Sequence, residues 1–277
     1  MSAAEEWRAQ LEAWAIPGEL LAAVPDSPYQ WPAQLWKRRR ASDAASGEER
    51  PTARVVRGLL PQQGTLLDVG AGTGRASLPL AREGYRLTAV ERNPGMAQGF
   101  RDEARALGVE ARLVMGSWPE VAKQVEPHDV VLCAHVVYDV QDIGPFLRAL
   151  HDRARRGVVL ELTPNHPWAD LAPYYRSLHG LARPEGPTAE ELAEVVREVC
   201  GLLPQRERWR RPGGLWFGDR DELLVFFRRR LVLPEERGEE LEGLLAPEIV
   251  ERDGQFFLGE EAREMVTMWW ETRGDIA

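Results

Sequence analysis

Ten residues, Leu66-Leu67-Asp68-Val69-Gly70-Ala71-Gly72-Thr73-Gly74-Arg75, decide how the rest of the chain is read. An apolar run ending in an acid passes into three glycines at alternate positions, the pattern of a buried strand entering a tight turn before a helix. Glycines permit positive φ and let a ligand approach backbone where a Cβ would clash. The helix that follows offers free N–H groups to a carboxylate or phosphate. Asp68 adds a negative charge at the strand end, which suits a ligand carrying an ammonium group. In an open α/β sheet such a strand-to-helix turn lies on the ligand-binding edge.

Outward from that turn the same alternation repeats. Short apolar runs at Thr65–Val69, Arg86–Val90, Ala111–Met115, Val130–Cys133 and Val158–Leu162 are separated by amphipathic stretches near Arg75–Glu83, Gly95–Leu107, Trp118–Val125 and Ile143–Arg153. Strand and helix alternating at this spacing predict crossover βαβ units and a doubly wound, mostly parallel sheet. Before it, helical spacing of Trp7, Leu11, Trp14 and Ala15 ends at Pro17-Gly18. Further helices are expected at Gly18–Val24, near Pro32–Arg40 and at Pro51–Leu60, with a small, polar, mobile linker at Ser42–Glu49. After it, Thr188 and Glu191 form a capping box that opens a helix to Cys200. A strand at Leu203–Arg210, helices at Asp219–Leu231 and Pro234–Leu245, a hairpin turn at Asp253-Gly254 and a closing strand at Met265–Trp270 complete the reading.

Composition excludes several classes. The chain has 277 residues, 35 basic and 44 acidic, for a net charge of −9. That balance argues against a nucleic-acid or anionic-membrane partner. Arginine runs at Arg38–Arg40, Arg208–Arg211 and Arg228–Arg230 sit near acidic stretches such as Glu235–Glu242 and read as solvated faces. Only Lys37 and Lys123 are lysines, the mark of a GC-rich bacterial coding bias. Two cysteines, Cys133 and Cys200, build no disulfide framework, and with no CxxC or His-rich cluster no metal site is expected. The start lacks a charged-then-apolar layout and no stretch has the apolar length to cross a bilayer, so a cytoplasmic location is expected.

The glycine spacing discriminates among ligands. A dinucleotide fingerprint wants G-x-G-x-x-G, whereas here the third glycine comes one position early and Arg75 stands in the last place. D-x-G-x-G-x-G instead resembles motif I of the class I S-adenosylmethionine-dependent methyltransferases. The resemblance covers Gly64–Leu162, and the outer segments Leu11–Pro17, Glu161–Pro167 and Leu178–Thr188 are similar to those of a bacterial subgroup of the same family. It implies a Rossmann-like, seven-stranded α/β fold with helical N-terminal and C-terminal additions, and S-adenosyl-L-methionine as cofactor. Residues 1–60 would form a helical lid on a domain spanning 61–277, with helical insertions near 163–187 and 211–245.

Residue by residue, the resemblance places Asp68, Gly70, Ala71, Gly72 and Gly74 around the cofactor. Glu91, at the end of the second strand, would accept the ribose hydroxyls, with Arg92 and Met96 beside it. Ser117 stands where the family commonly has an adenine-binding aspartate, Trp118 would cover the ring face, and Ala134 would lie beside the sulfonium. His135, Tyr138 and His166 are the candidate catalytic residues: His135 as a base that titrates near neutrality, Tyr138 to orient a substrate, His166 at the same sheet edge. Each has a plainer reading as a packed or capping side chain. Cys133 lacks a Pro-Cys partner, and the (Asn/Asp)-Pro-Pro-aromatic signature of base-amine methylation is missing after the fourth strand. The expected substrate is a small or medium-sized, partly apolar molecule. The rivals are a protein that binds the cofactor without transfer, an RNA methyltransferase and a nicotinamide oxidoreductase.

Overall fold

The computed structural model describes residues 1–25, 27–29, 35, 49–211, 215–259 and 262–272. The helix expected near 32–40 and the linker at 42–49 lie almost wholly outside them. The central sheet has seven strands: β1 (Thr65–Val69), β2 (Arg86–Glu91), β3 (Ala111–Met115), β4 (His128–Ala134), β5 (Ala154–Leu162), β6 (Gln205–Arg211) and β10 (Arg263–Glu271). Their order is β3-β2-β1-β4-β5-β10-β6. All pairings from β3 to β5 are parallel, and only β10 runs against its neighbours. The sheet reverses direction of growth between β1 and β4, so a crevice opens at the carboxyl ends of those two strands.

Alternation along the strands sorts side chains to two faces. Leu67, Val69, Val131 and Cys133 join one core cluster with Trp7 and Leu11 of α1 (Ala3–Ala13), Phe146 and Leu147 of α6 (Ile143–Asp152), and Leu192 of α8 (Ala189–Cys200). Their neighbours Leu66, Val130 and Leu132 face the other way, onto Val56 of α3 (Pro51–Leu59), Leu80 of α4 (Leu78–Arg82) and Phe100 of α5 (Pro94–Leu107). Continuous apolar runs are what a sheet covered on both faces requires. The short helix α2 (Gly18–Ala22) follows α1.

The C-terminal addition has its own core. Tyr174 and Tyr175 of α7 (Ala172–His179), Phe226 and Phe227 of α9 (Arg220–Arg230) and Leu241 of α10 (Gly238–Leu245) pack together with Phe217. A three-stranded sheet ordered β7-β9-β8 (Trp216–Phe217, Gln255–Leu258, Ile249–Arg252) covers them. The expected hairpin is present: Asp253 and Gly254 both have positive φ, at 50° and 70°, and join β8 to β9 as a two-residue loop.

Two expected helices are altered. The stretch 118–125 holds only a 3-10 turn at Ala122–Gln124, because Pro119 supplies no N–H and Val121 and Val125 are drawn into the core. The helix expected from Arg75 begins three residues later, since Arg75 itself turns inward to an ion pair described below.

Candidate functional site

At the end of β1, the N–H groups of Gly70 and Ala71 donate to the Val90 carbonyl at 2.9 and 3.0 Å, and Gly74 N–H closes the turn on Ala71 at 2.9 Å. Packing dictates Gly70: at φ +71° a Cβ there would lie 2.3 Å from Val136 Cγ2. Gly72 differs. At φ +58° its Cβ would meet only Met96 Cε, at 3.3 Å, so the absent side chain leaves an approach to bare backbone. Glu91, 7% exposed, braces this turn by accepting from Gly72 N–H at 2.8 Å and Asn93 N–H at 2.7 Å. Asn93 in turn caps α5, accepting from Gly95 and Met96 N–H. Arg92 is exposed beside it, 3.8 Å from Asp139.

Glu91 therefore shapes the turn. Glu91→Ala would strand two backbone donors, a loss of about 1–3 kcal/mol, and is expected to lower the melting temperature by roughly 5 °C. Differential scanning calorimetry checks this; an unchanged melting temperature would show that the turn holds without it.

Asp68 is buried at 1% exposure, and its Oδ2 has no hydrogen-bond partner among the described residues. Desolvation pushes its pKa up to about 7; Ser77 and Arg75 pull against that, while Glu91 and Glu161 add to it. A buried acceptor without a donor beside a glycine cradle fits a ligand that brings an ammonium group.

The remaining cofactor candidates separate. Ser117 is exposed at the end of β3, and Ala134 is half-buried at the end of β4. Trp118, 9% exposed, joins the core on the α6 face and donates through Nε1 to the Phe146 carbonyl at 3.3 Å. Its indole is thus spent on packing rather than standing open at the crevice.

His135 follows β4 directly, in the left-handed region at φ +59°. A non-glycine residue held there is a recurrent mark of a functional position. Its backbone N–H donates to the Glu161 carbonyl at 2.8 Å, and its Nε2 lies 3.3 Å from Glu161 Oε1. Glu161, near the end of β5, is 1% exposed and also takes the guanidinium of Arg75. Burial would raise its pKa, but Arg75 and His135 hold it well below the usual carboxylate range.

Tyr138 and His166 lie close to this cluster. The Tyr138 ring is 6.4 Å from His135 and 6.1 Å from His166. Its hydroxyl accepts from Thr163 N–H and pairs with Thr163 Oγ1 at 2.8 Å, and burial pushes its pKa up to about 12. It is a fixed hydroxyl, not a source of phenolate. His166 is 7% exposed, stacked on Trp14 at 4.2 Å, and accepts from Trp168 N–H through Nδ1 at 3.3 Å. Burial, with Arg263 nearby, lowers its pKa to about 3, so its ring is neutral at working pH. Cys133 is buried and its thiol is pushed well up, which suits packing and not nucleophilic attack.

Three contributors escaped the sequence reading. Glu161 interrupts an apolar strand, and a lone acid in a buried run is the signal that marks it. Trp14 reaches the sheet edge only because α1 folds back: Trp7 Nε1 donates to the Val140 carbonyl at 2.9 Å and Trp14 Nε1 to the Gly186 carbonyl at 2.7 Å. Arg50, just before α3, borders with Glu161 a cavity of about 30 Å³, and no local pattern announces that.

Residues 66–157 match the family model described as "Methyltransferase domain". A ubiquinone biosynthesis O-methyltransferase of Azorhizobium caulinodans is 39% identical over 115 residues, covering 40% of this chain and 44% of that one. A demethylmenaquinone methyltransferase of Tropheryma whipplei is 33% identical over 118 residues, 40% of this chain and 46% of that one. The chain thus spans less than half the length of these curated relatives. Among solved structures, a Bacillus halodurans protein aligns with a TM-score of 0.55 at 14% identity, over 80% of this chain and 98% of that one. The YcgJ protein of Bacillus subtilis aligns with a TM-score of 0.52 at 15% identity, over 80% and 97%. Those two likenesses concern the fold alone. With the strand order and the glycine turn, the match makes residues 66–157 a methyltransferase domain of the S-adenosylmethionine-dependent type.

Proposed function

We propose that this protein methylates a small or medium-sized, partly apolar acceptor, most simply at a hydroxyl group, using S-adenosyl-L-methionine. The observation that carries the reading is the buried Oδ2 of Asp68, without a hydrogen-bond partner among the described residues, together with the open backbone of Gly72 and the strand-end carboxylate of Glu91. Asp68 would hold the ammonium group, the turn backbone would face the methionine portion, and Glu91 would take the ribose hydroxyls. The cofactor supplies an electrophilic methyl carbon, whose bonding pair stays with sulfur on transfer.

The chain's own task is then to align the acceptor and receive its proton. His135 stands at the end of β4, next to the strand that carries Asp68. It is the group placed to take a proton from an acceptor hydroxyl. Tyr138, His166 and Trp14 would form an apolar wall with polar tips beside it, as a pocket for a partly apolar ligand does. Support for hydroxyl as the acceptor comes from this base and from relatives that are O-methyltransferases.

Of the N-terminal stretch 1–60, we assign the described residues 1–25 as a lid over this edge, with the segments near 163–187 and 211–245; α3 packs Val56 into the core under the sheet and is not part of it. What supports this is Trp14 on His166, and Arg183, which donates to the Ala13 and Ala15 carbonyls at 2.9 and 3.0 Å. Among the described residues no helix is long and apolar enough to cross a membrane, and we place the protein in the cytoplasm. RNA is disfavoured as acceptor, because Arg208 is engaged by Glu190 and Glu264 and Arg230 is buried over Trp168.

Calorimetric titration with S-adenosylmethionine and S-adenosylhomocysteine tests the reading. Wild type should bind both, and Gly72→Arg, whose side chain would fill the approach, should bind neither while keeping its circular dichroism spectrum. A folded wild type that binds neither compound would remove the proposal. Binding without methyl transfer to any hydroxylated aromatic probe would favour a non-catalytic binder.

A further inference from the structure

We infer that Glu161 is a positioning residue: from the end of β5 it holds the Nε2 edge of His135, so that Nδ1 is the nitrogen that receives the acceptor's proton. The inference rests on the proposed methyl transfer to a hydroxyl and names a residue for it that neither the glycine motif nor the matched domain, which ends at residue 157, includes.

The geometry ties the two residues twice. The parallel register of β4 and β5 sets Ala134 opposite Glu161, which brings His135 N–H to the Glu161 carbonyl at 2.8 Å. The side chains then meet again, Nε2 to Oε1 at 3.3 Å. A carboxylate accepts only, so the ring nitrogen facing it carries the proton in the neutral imidazole. The other nitrogen, Nδ1, keeps the lone pair. His135 itself sits in the left-handed backbone region, at φ +59°.

Arg75 completes the arrangement from the cofactor turn. It pairs with the same Oε1, and Glu161 is 1% exposed, so the carboxylate stays ionised without access to water. It orients the imidazole and offsets the charge that forms there without taking the proton itself. Other charges act on the cluster from each side: Arg50 before α3 on Glu161, and Asp68 from β1 with both Arg75 and Glu161. The fixed Tyr138 ring borders it 6.4 Å away. In the step itself the acceptor O–H bond breaks and its proton goes to Nδ1, while the oxygen pair forms the new O–C bond as the methyl's bond to sulfur breaks and leaves its pair on sulfur. On the next exchange with water the imidazolium returns to the Nε2–H form.

Long-range 1H–15N correlation spectra of the imidazoles test this on the intact protein, with His135→Asn identifying the signal among five histidines. Wild type should show His135 as the Nε2–H tautomer. In Glu161→Gln that tautomer should lose its dominance and the His135 titration midpoint should fall by about one pH unit, since an amide replaces a charged partner. Glu161→Asp, which keeps the charge with a shorter reach, should recover part of both. An Nδ1–H tautomer in wild type overturns the inference without any variant. So does a folded Glu161→Gln protein with tautomer and midpoint unchanged. S-adenosylhomocysteine titration of wild type runs in parallel: failure there counts against methyl transfer, while the tautomer reports on Glu161 alone.

Discussion

The substitution Asp68→Asn is expected to weaken S-adenosylhomocysteine binding by about 100-fold and to leave the free protein at least as stable as wild type near pH 8. Removing one partner of a buried charge pair typically costs about 2–5 kcal/mol, or two orders of magnitude in affinity around the middle of that range. The stability half follows from the direction of the pKa. Burial raises Asp68 from 3.8 to about 7, so between those values the folded protein holds a proton that the unfolded chain has released. Stability therefore falls as pH climbs through that window, and the loss is complete above about 7. An uncharged amide carries no such loss, and the difference in melting temperature should move in favour of Asp68→Asn between pH 5 and pH 8. Ligand affinity should run the opposite way in wild type. An ammonium group needs the ionised carboxylate, so binding should weaken about tenfold per unit below pH 7, a dependence that Asp68→Asn should lose. Calorimetric titration at several pH values reads both, and equal affinity of the two proteins at pH 8 would remove Asp68 from the site.

The largest loss of stability is expected from Arg75→Ala. It leaves the carboxylate of Glu161, 1% exposed, without its guanidinium. Stranding one half of a buried ion pair costs about 3–5 kcal/mol, which for a chain of this size lowers the melting temperature by on the order of 10 °C. Glu161 is held well below the usual carboxylate range, so its contribution is present above the ordinary glutamate pKa and fades as pH falls. The deficit of Arg75→Ala should accordingly shrink in acid. The double variant Arg75→Ala/Glu161→Ala removes the stranded charge and should regain most of the loss. A single variant as stable as wild type at neutral pH would show that Arg75 adds nothing to the fold.

These two residues also show how far local sequence reaches. Asp68 was legible because its place in D-x-G-x-G-x-G follows from chain spacing, and β1 with its turn forms where that spacing says. Glu161 was not, because its importance depends on the register between β4 and β5 and on an arginine 86 residues earlier. Trp118 invited a ligand-facing reading from position alone, and packing against the α6 face spent it on the core. The helix expected over 118–125 is reduced to a 3-10 turn where Pro119 supplies no N–H and Val121 and Val125 pack into the core.

What the linear order of residues settled was the alternating parallel architecture, the glycine turn, the strand-end acids Asp68 and Glu91, and the hairpin at Asp253-Gly254. Each of these is a short-range pattern of apolar period, turn chemistry and spacing, which local sterics and burial decide within a few residues. Tertiary structure alone decided that His135, Glu161 and Arg75 form one cluster, and that Trp14 folds back onto His166. Those pairings join residues far apart in the chain. They exist only once strand order and helix docking have been chosen by the core, which no local pattern can specify.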